Sequence, residues 1–96
     1  MAKLDHKEPS LALYENILHL TTVEDCRSFF EDLCSTSEVR AMEQRFDVAV
    51  LLSQGNIYND IVAKTGASSA TISRVSRMLA GGTGILRQLA EDDLEK

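Results

Sequence analysis

Residues 58–79 read Tyr58-Asn59-Asp60-Ile61-Val62-Ala63-Lys64-Thr65-Gly66-Ala67-Ser68-Ser69-Ala70-Thr71-Ile72-Ser73-Arg74-Val75-Ser76-Arg77-Met78-Leu79. The spacing predicts a short helix from Tyr58 to Thr65, a break at Gly66 and a second helix from about Ser69 to Ala80, the layout of a helix-turn-helix. Glycine at position 66 admits the left-handed backbone that ends a helix without a Cβ clash. Ile61, Thr65 and Ala67 are expected to face inward with Ile72 and Val75, wedging the two helices at a fixed angle. Ser68 or Ser69 is expected to cap the second helix, where a hydroxyl also suits a phosphate. Ser68, Ser69, Ala70, Thr71, Ser73, Arg74 and Arg77 then face outward. Small hydroxyl residues let a helix sit deep in the major groove of a duplex, and arginine recognises guanine through two hydrogen bonds. These seven are the candidate DNA-reading residues, with Lys64 and Arg87 as candidate phosphate contacts. An ordinary helical hairpin would need the glycine-ended helices but not this outward composition.

The charge pattern bears on the same segment. The whole chain of 96 residues carries a net charge of −5, which speaks against a nucleic-acid partner when taken as a total. Between Ile61 and Ala90, however, there is no Asp or Glu, while Lys64, Arg74, Arg77 and Arg87 supply positive charge. The acidity belongs to the flanks. Counterion release depends on the charges that face phosphates, so a locally basic face on an acidic protein can bind DNA. Repulsion from the flanks is expected to weaken non-specific binding.

Working outward, Gly81-Gly82-Thr83-Gly84 is expected to stop the second helix of the motif. A last amphipathic helix is expected from Ile85 to Leu94, with Ile85, Leu86 and Leu89 as its apolar points. On the N-terminal side, Ser35-Thr36-Ser37-Glu38 has the form of a capping box. The helix it opens should run from about Thr36 to Gln54 and end at Gly55-Asn56. Its apolar residues, Val39, Met42, Phe46, Val50 and the run through Leu52, cover more of its circumference than one neighbour needs. Such a helix is central in a core or lies at a dimer seam. Thr22-Val23-Glu24-Asp25 is a variant capping box opening a helix with Val23, Cys26, Phe29, Phe30 and Leu33 on one face. Pro9 suits the first turn of a helix from Ser10 to Leu20, where Leu11, Tyr14, Ile17 and Leu18 recur at helical spacing. No strand-type alternation persists. The expected fold is all-α, about six helices in a single domain over residues 1–96: dimerisation helices over 1–55, the helix-turn-helix over 58–80 and a C-terminal helix over 84–96.

Other function classes find little support. The longest uninterrupted apolar run, Val48 to Leu52, is far short of the roughly 20 residues needed to cross a bilayer, so no membrane partner is expected. The N-terminus, Met1-Ala2-Lys3-Leu4-Asp5-His6-Lys7-Glu8, is mixed in charge with no apolar stretch behind it, and no secretory signal is expected. Cys26 and Cys34 would lie about 12 Å apart along a helix axis, too far for a disulfide. Two unpaired, buried thiols fit a reducing cytoplasm. His6 and His19 share no metal-ligand spacing with each other or with the cysteines, so no metal and no cofactor are expected. No HExxH, GxxxxGK or GxSxG motif is present, and no enzymatic activity is expected.

The segment from about Ser35 through Leu89 resembles the Trp repressor family, and more closely its Trp-repressor-related relatives of unassigned ligand. The likeness is carried by Arg45-Phe46, Leu51-Leu52 with Gly55, Gly66-Ala67, Ala70-Thr71-Ile72-Ser73-Arg74 and Leu86-Arg87-Gln88. The resemblance implies six helices and an intertwined homodimer, with interlocking N-terminal helices and a flexible reading head that carries the helix-turn-helix. Two arginines sandwich the indole of the co-repressor in the Trp repressor, and they fall on Arg45 and Arg74. A glycine against the ligand ring is replaced by Val75, and a serine near the ligand amino group by Met78. Arg45, Arg74, Val75 and Met78 are therefore the candidate effector pocket, with bulk and polarity that argue against tryptophan as the effector. Arg45 has an alternative role in an ion pair with a carboxylate such as Glu38, in its own chain or across a dimer. The stretch between Gly55 and Gly66 is one residue shorter than in the Trp repressor.

These readings lead to a cytoplasmic, homodimeric transcriptional regulator, expected to repress by binding a roughly palindromic operator in double-stranded DNA. The alternative is an all-helical protein-interaction module that docks on a replication or transcription protein. The acidic tail Glu91-Asp92-Asp93-Leu94-Glu95 and the net charge favour that alternative modestly.

Overall fold

Six α-helices account for the regular structure in a computed structural model that describes residues 8–93, and no strand occurs among those residues. The helices are α1 (Leu11–Ile17), α2 (Val23–Leu33), α3 (Thr36–Ser53), α4 (Tyr58–Thr65), α5 (Ser69–Gly81) and α6 (Ile85–Asp93). The all-α expectation holds, and Leu94, where α6 was expected to end, lies outside the described residues. The chain divides into two compact units, the first reaching Ser35 and the second beginning at Thr36. Within one chain, α3 thus belongs with the helix-turn-helix, whereas the sequence reading grouped it with the helices before it.

The first unit has no fully buried side chain in either helix. α1 is shorter than the Ser10–Leu20 reading. After Ile17 the chain tightens, with His19 N–H donating to Asn16 O at 3.0 Å and Leu20 N–H to Ile17 O at 3.1 Å, both three residues back. Such i→i+3 bonds are the usual way a last turn closes. Pro9 stands before the N-cap, Ser10, and not in the first turn; Ser10 is extended and makes no side-chain cap bond. α2 starts as its sequence demands. Thr22 Oγ1 accepts from Asp25 N–H at 3.0 Å, and Glu24 and Asp25 lie in the first turn, where the helix dipole favours negative charge. Arg27 and Glu31 pair at 3.2 Å across one turn, an exposed contact of little energetic weight. Phe29 and Phe30 meet edge to face with ring centroids 5.3 Å apart. Cys26 and Cys34 are free thiols and only half-buried, not buried as expected.

The second unit is built on α3, which packs against α4, α5 and α6. Its core consists of Val48 and Ala49 from α3, Ile61 from α4, Ala67 from the turn, Ile72 and Val75 from α5, and Ala90 from α6. Val50, Leu51, Leu52, Leu79 and Leu86 pack around it. The wide apolar face of α3 is accordingly split: Val48 and Ala49 are buried, while Val39, Met42, Phe46 and Val50 stay half-buried. α3 ends in a Schellman motif: Gly55 N–H donates to Leu52 O and Asn56 N–H to Leu51 O, at 3.0 and 3.1 Å. α6 differs from its sequence reading. Ala90 and half-buried Leu86, four residues apart, face the core, while Ile85 and Leu89 are more than half exposed. A methyl group at position 90 lets α6 approach more closely than a larger side chain would. α5 runs through Gly81 and stops at Gly82, which is extended and not left-handed (φ −84°, ψ −165°). A Cβ on Gly82 would lie 2.7 Å from the carbonyl oxygen of Met78, so the chain leaves the helix there by a close approach that only glycine permits.

Candidate nucleic-acid interface

The turn between α4 and α5 is fixed by its own short-range bonds. Gly66 takes the left-handed conformation (φ 73°, ψ 4°) and donates its N–H to Val62 O at 2.8 Å. Thr65 Oγ1 donates to Ile61 O at 2.7 Å and accepts from Ala67 N–H at 3.1 Å, bracing the turn on both sides. Ser68 is the N-cap of α5, and its Oγ accepts from Thr71 N–H at 3.1 Å. The same Oγ donates to Thr71 Oγ1, also at 3.1 Å. Ser69 is therefore the first helical residue and leaves the capping to Ser68. Behind the turn, Ile61, Ala67, Ile72 and Val75 are all at most 1% exposed and form the wedge expected between the two helices. Thr65 sits beside that wedge, half-buried.

Opposite the wedge, α5 presents a polar face. At about 100° per residue, Ala70, Ser73, Arg74 and Arg77 fall within one arc, on the far side of the helix from Ile72, Val75 and Leu79. Ala70, Arg74 and Arg77 are exposed, as are Ser68 and Ser69 at the start of the helix. Thr71 and Ser73 are half-buried. The two phosphate candidates lie elsewhere. Lys64 is exposed in the last turn of α4, and its Nζ donates to Asn56 Oδ1 at 3.1 Å. Asn56 is itself held by a bond from its Nδ2 to Leu51 O at 3.1 Å. Lys64 also borders an open groove of about 430 Å³ with Asp47, Thr65 and Asp93, above Phe46, Val50 and Leu51. Arg87, exposed on α6, borders a different depression of about 360 Å³ with Ser53, Ser76, Ala80 and Glu91.

A third depression, about 170 Å³, brings Arg45, Val75 and Met78 together with Met42, Phe46 and Leu86. Arg74 is not among its lining residues, because its position on α5 is turned about 100° from that of Val75. Arg45 itself is half-buried on α3 at the edge of this depression. Among the same residues no group of three or more His, Cys, Asp or Glu is placed to hold a metal ion. No helix among them is long and apolar enough to cross a membrane.

Two side chains at the site escaped the sequence reading. Gln44 on α3 donates from Nε2 to Thr65 O at 3.2 Å, a part-buried bond that spans 21 residues and reaches the end of α4. Asn56 links the end of α3 to Lys64. The signal for Gln44 was present: it stands four residues before buried Val48 and three after half-buried Ala41, a polar side chain on an inward stripe. Such a residue needs a partner. The sequence does not say which.

A braced turn, a wedge of small apolar residues and a polar face on the second helix define an all-α protein of the helix-turn-helix class. The particular kind is given by comparison with known proteins: the chain belongs to the Trp repressor family, whose sequence model, Trp repressor protein, matches residues 10–92. It is 49% identical over 70 residues to the uncharacterized protein YerC of Bacillus subtilis (strain 168), a match covering 73% of this chain and 67% of YerC. Its fold is similar to the crystal structure of a candidate Trp repressor from Staphylococcus aureus, with a TM-score of 0.82 and 38% identity over 88% of this chain and 85% of that one. It is also similar to a TrpR-like protein from Eubacterium eligens ATCC 27750, with a TM-score of 0.80 and 42% identity over 84% of each chain.

Proposed function

We propose that this protein is a cytoplasmic, homodimeric transcriptional regulator that reads a palindromic DNA operator through its helix-turn-helix and represses the genes beside it. The observation that carries this reading is the polar face of α5. Ala70, Ser73, Arg74 and Arg77 project away from the buried wedge, behind an N-terminus capped by Ser68. Residues near the start of such a helix reach base edges in the major groove, and their neighbours hold phosphates. Arg74 and Arg77 read bases, Ser68, Ser69 and Thr71 line the approach to the backbone, and Lys64 and Arg87 contact phosphates at the margins. Membership of the Trp repressor family supports the same conclusion.

Uncovered apolar surface supports the dimer. Leu11, Tyr14, Leu18, Val23 and Leu33 are all more than half exposed in the single chain, and no side chain of α1 or α2 is fully buried. A second copy supplies the missing cover and sets two reading heads about a two-fold axis, matching an operator with half-sites about one helical turn apart. The depression beside Arg45, Val75 and Met78 is where a small effector would sit, and tryptophan is not that effector. Calorimetric detection of tryptophan binding that also tightens DNA binding would overturn this last point.

A salt titration on duplex DNA tests the function. Affinity should fall steeply as salt rises from about 50 mM to about 200 mM, as phosphate contacts exchange with counterions. The exposed acids Glu91 and Asp92 favour the rival reading, docking on a protein partner, to a small extent. Absence of duplex binding even at about 50 mM salt would leave that rival standing instead.

A further inference from the structure

The position of the helix-turn-helix on α3 is set by contacts inside the chain. Val75 of α5 is completely buried, in one cluster with Val48 and Ala49 of α3 and Ile61 of α4. Val75 therefore seats α5 against α3 with a side chain of the chain itself. Beside it lies the open depression of about 170 Å³ toward Arg45, Met78 and Leu86. A second contact is directional. Gln44 Nε2 donates at 3.2 Å to Thr65 O, the final carbonyl of α4 and one of those a helix end leaves without an intrahelical donor. The Thr65 hydroxyl braces the turn from the other side through Ile61 O and Ala67 N–H. Apolar seating by Val75 and a hydrogen bond from Gln44 thus act at two different points of the motif.

We propose that Gln44 and Val75 are positioning residues that lock the helix-turn-helix onto α3 in its DNA-reading pose, so that operator binding requires no small-molecule effector. This rests on the DNA-reading function proposed above and goes beyond it, since a site beside Arg45 could be empty or filled without changing the pose. A ligand shifts a conformational equilibrium only to the extent that it binds one state better than the other. Where the chain already holds the competent state, no such shift is available. Neither side chain touches DNA in this account; each acts through the placement of α4 and α5.

The test uses the full chain, unfolded and refolded to strip bound molecules, and two readouts. Amide hydrogen exchange should show α4 and α5 protected to within about tenfold of α3 without any addition. Affinity for a selected duplex should change by less than about twofold when a low-molecular-mass cell extract or L-tryptophan is added. Gln44→Leu should speed exchange around Thr65–Ala67 and lower specific duplex affinity by about tenfold, with less effect on random DNA. Gln44→Lys, which restores a donor toward the Thr65 carbonyl, should recover most of both, and Val75→Ala should loosen α5 in the same way. The proposal is overturned if α4 and α5 exchange more than about a hundredfold faster than α3 until extract is added. It is equally overturned if extract raises duplex affinity more than about tenfold, or if Gln44→Leu leaves exchange and affinity at the wild-type level. Protected α4 and α5 in a chain that binds no duplex, with or without extract, would uphold the lock and sink the DNA-reading function.

Discussion

Gly66 carries the turn at φ 73°, in the left-handed region, with open space where a Cβ would be. Any cost of replacing it therefore comes from backbone strain and not from a clash. Gly66→Ala should lower stability by about 1–2 kcal/mol, read as a shift in denaturation midpoint, while leaving the wedge residues in place. Ile72→Ala is a different kind of change, removing a fully buried side chain from the core cluster, and should cost about 2–5 kcal/mol. Arg74 and Arg77 provide the contrast. Both are exposed, so Arg74→Ala and Arg77→Ala should leave the unfolding midpoint within about 0.5 kcal/mol of the parent while abolishing sequence preference in DNA binding. A pair of variants that lost stability along with preference would show that the arginines hold the fold instead.

Among the elements, the joint between α5 and α6 separates two adjacent glycines that look alike in the sequence. Gly81 is helical, and a Cβ there meets nothing within 4 Å, so Gly81→Ala should stabilise by about 0.5–1 kcal/mol. At Gly82 a Cβ would press on the Met78 carbonyl at 2.7 Å, and Gly82→Ala should destabilise by about 1–3 kcal/mol. Thermal melts of the two single variants should therefore move in opposite directions. This joint also marks where sequence reading stops. Local signals, the Thr22 cap, the Ser68 cap, Gly66 and the end of α3 at Gly55-Asn56, are legible because each is settled within about one helical turn. The face α6 turns inward is not local. Ile85 and Leu89 read as its apolar points, yet Ala90 fits against the core because a small side chain allows close packing, a fact that depends on the helices around it. The bond from Gln44 to Thr65 is illegible for the same reason. The exposure of Ala70, Arg74 and Arg77 on α5 could be read in advance because the wedge residues on its other side follow helical spacing, whereas Thr71 and Ser73, read as outward, are half-buried.

For the whole molecule, the distribution of charge matters more than its total. The net charge of −5 conceals a window from Ile61 to Ala90 without a single acid. Each chain offers four bases in that window, so a dimer presents about eight, and the slope of log affinity against log salt should be no steeper than about −7. The uncovered apolar residues of α1 and α2 argue at the same scale. Sedimentation equilibrium should return twice the 10.6 kDa mass of the chain, and Leu18→Glu, at a position 81% exposed within one chain, should shift the protein toward monomer. A wild-type monomer at micromolar concentration would contradict the assembly. The central claim, that two α5 faces read one operator, is tested most directly by selecting bound duplexes from a random pool. The account predicts enrichment of a two-fold symmetric site with half-site centres about 34–36 Å apart, lost when Arg74 and Arg77 are both replaced by alanine. Recovery of no preferred sequence by the wild-type protein, or of the same sequence by the doubly substituted one, would contradict it.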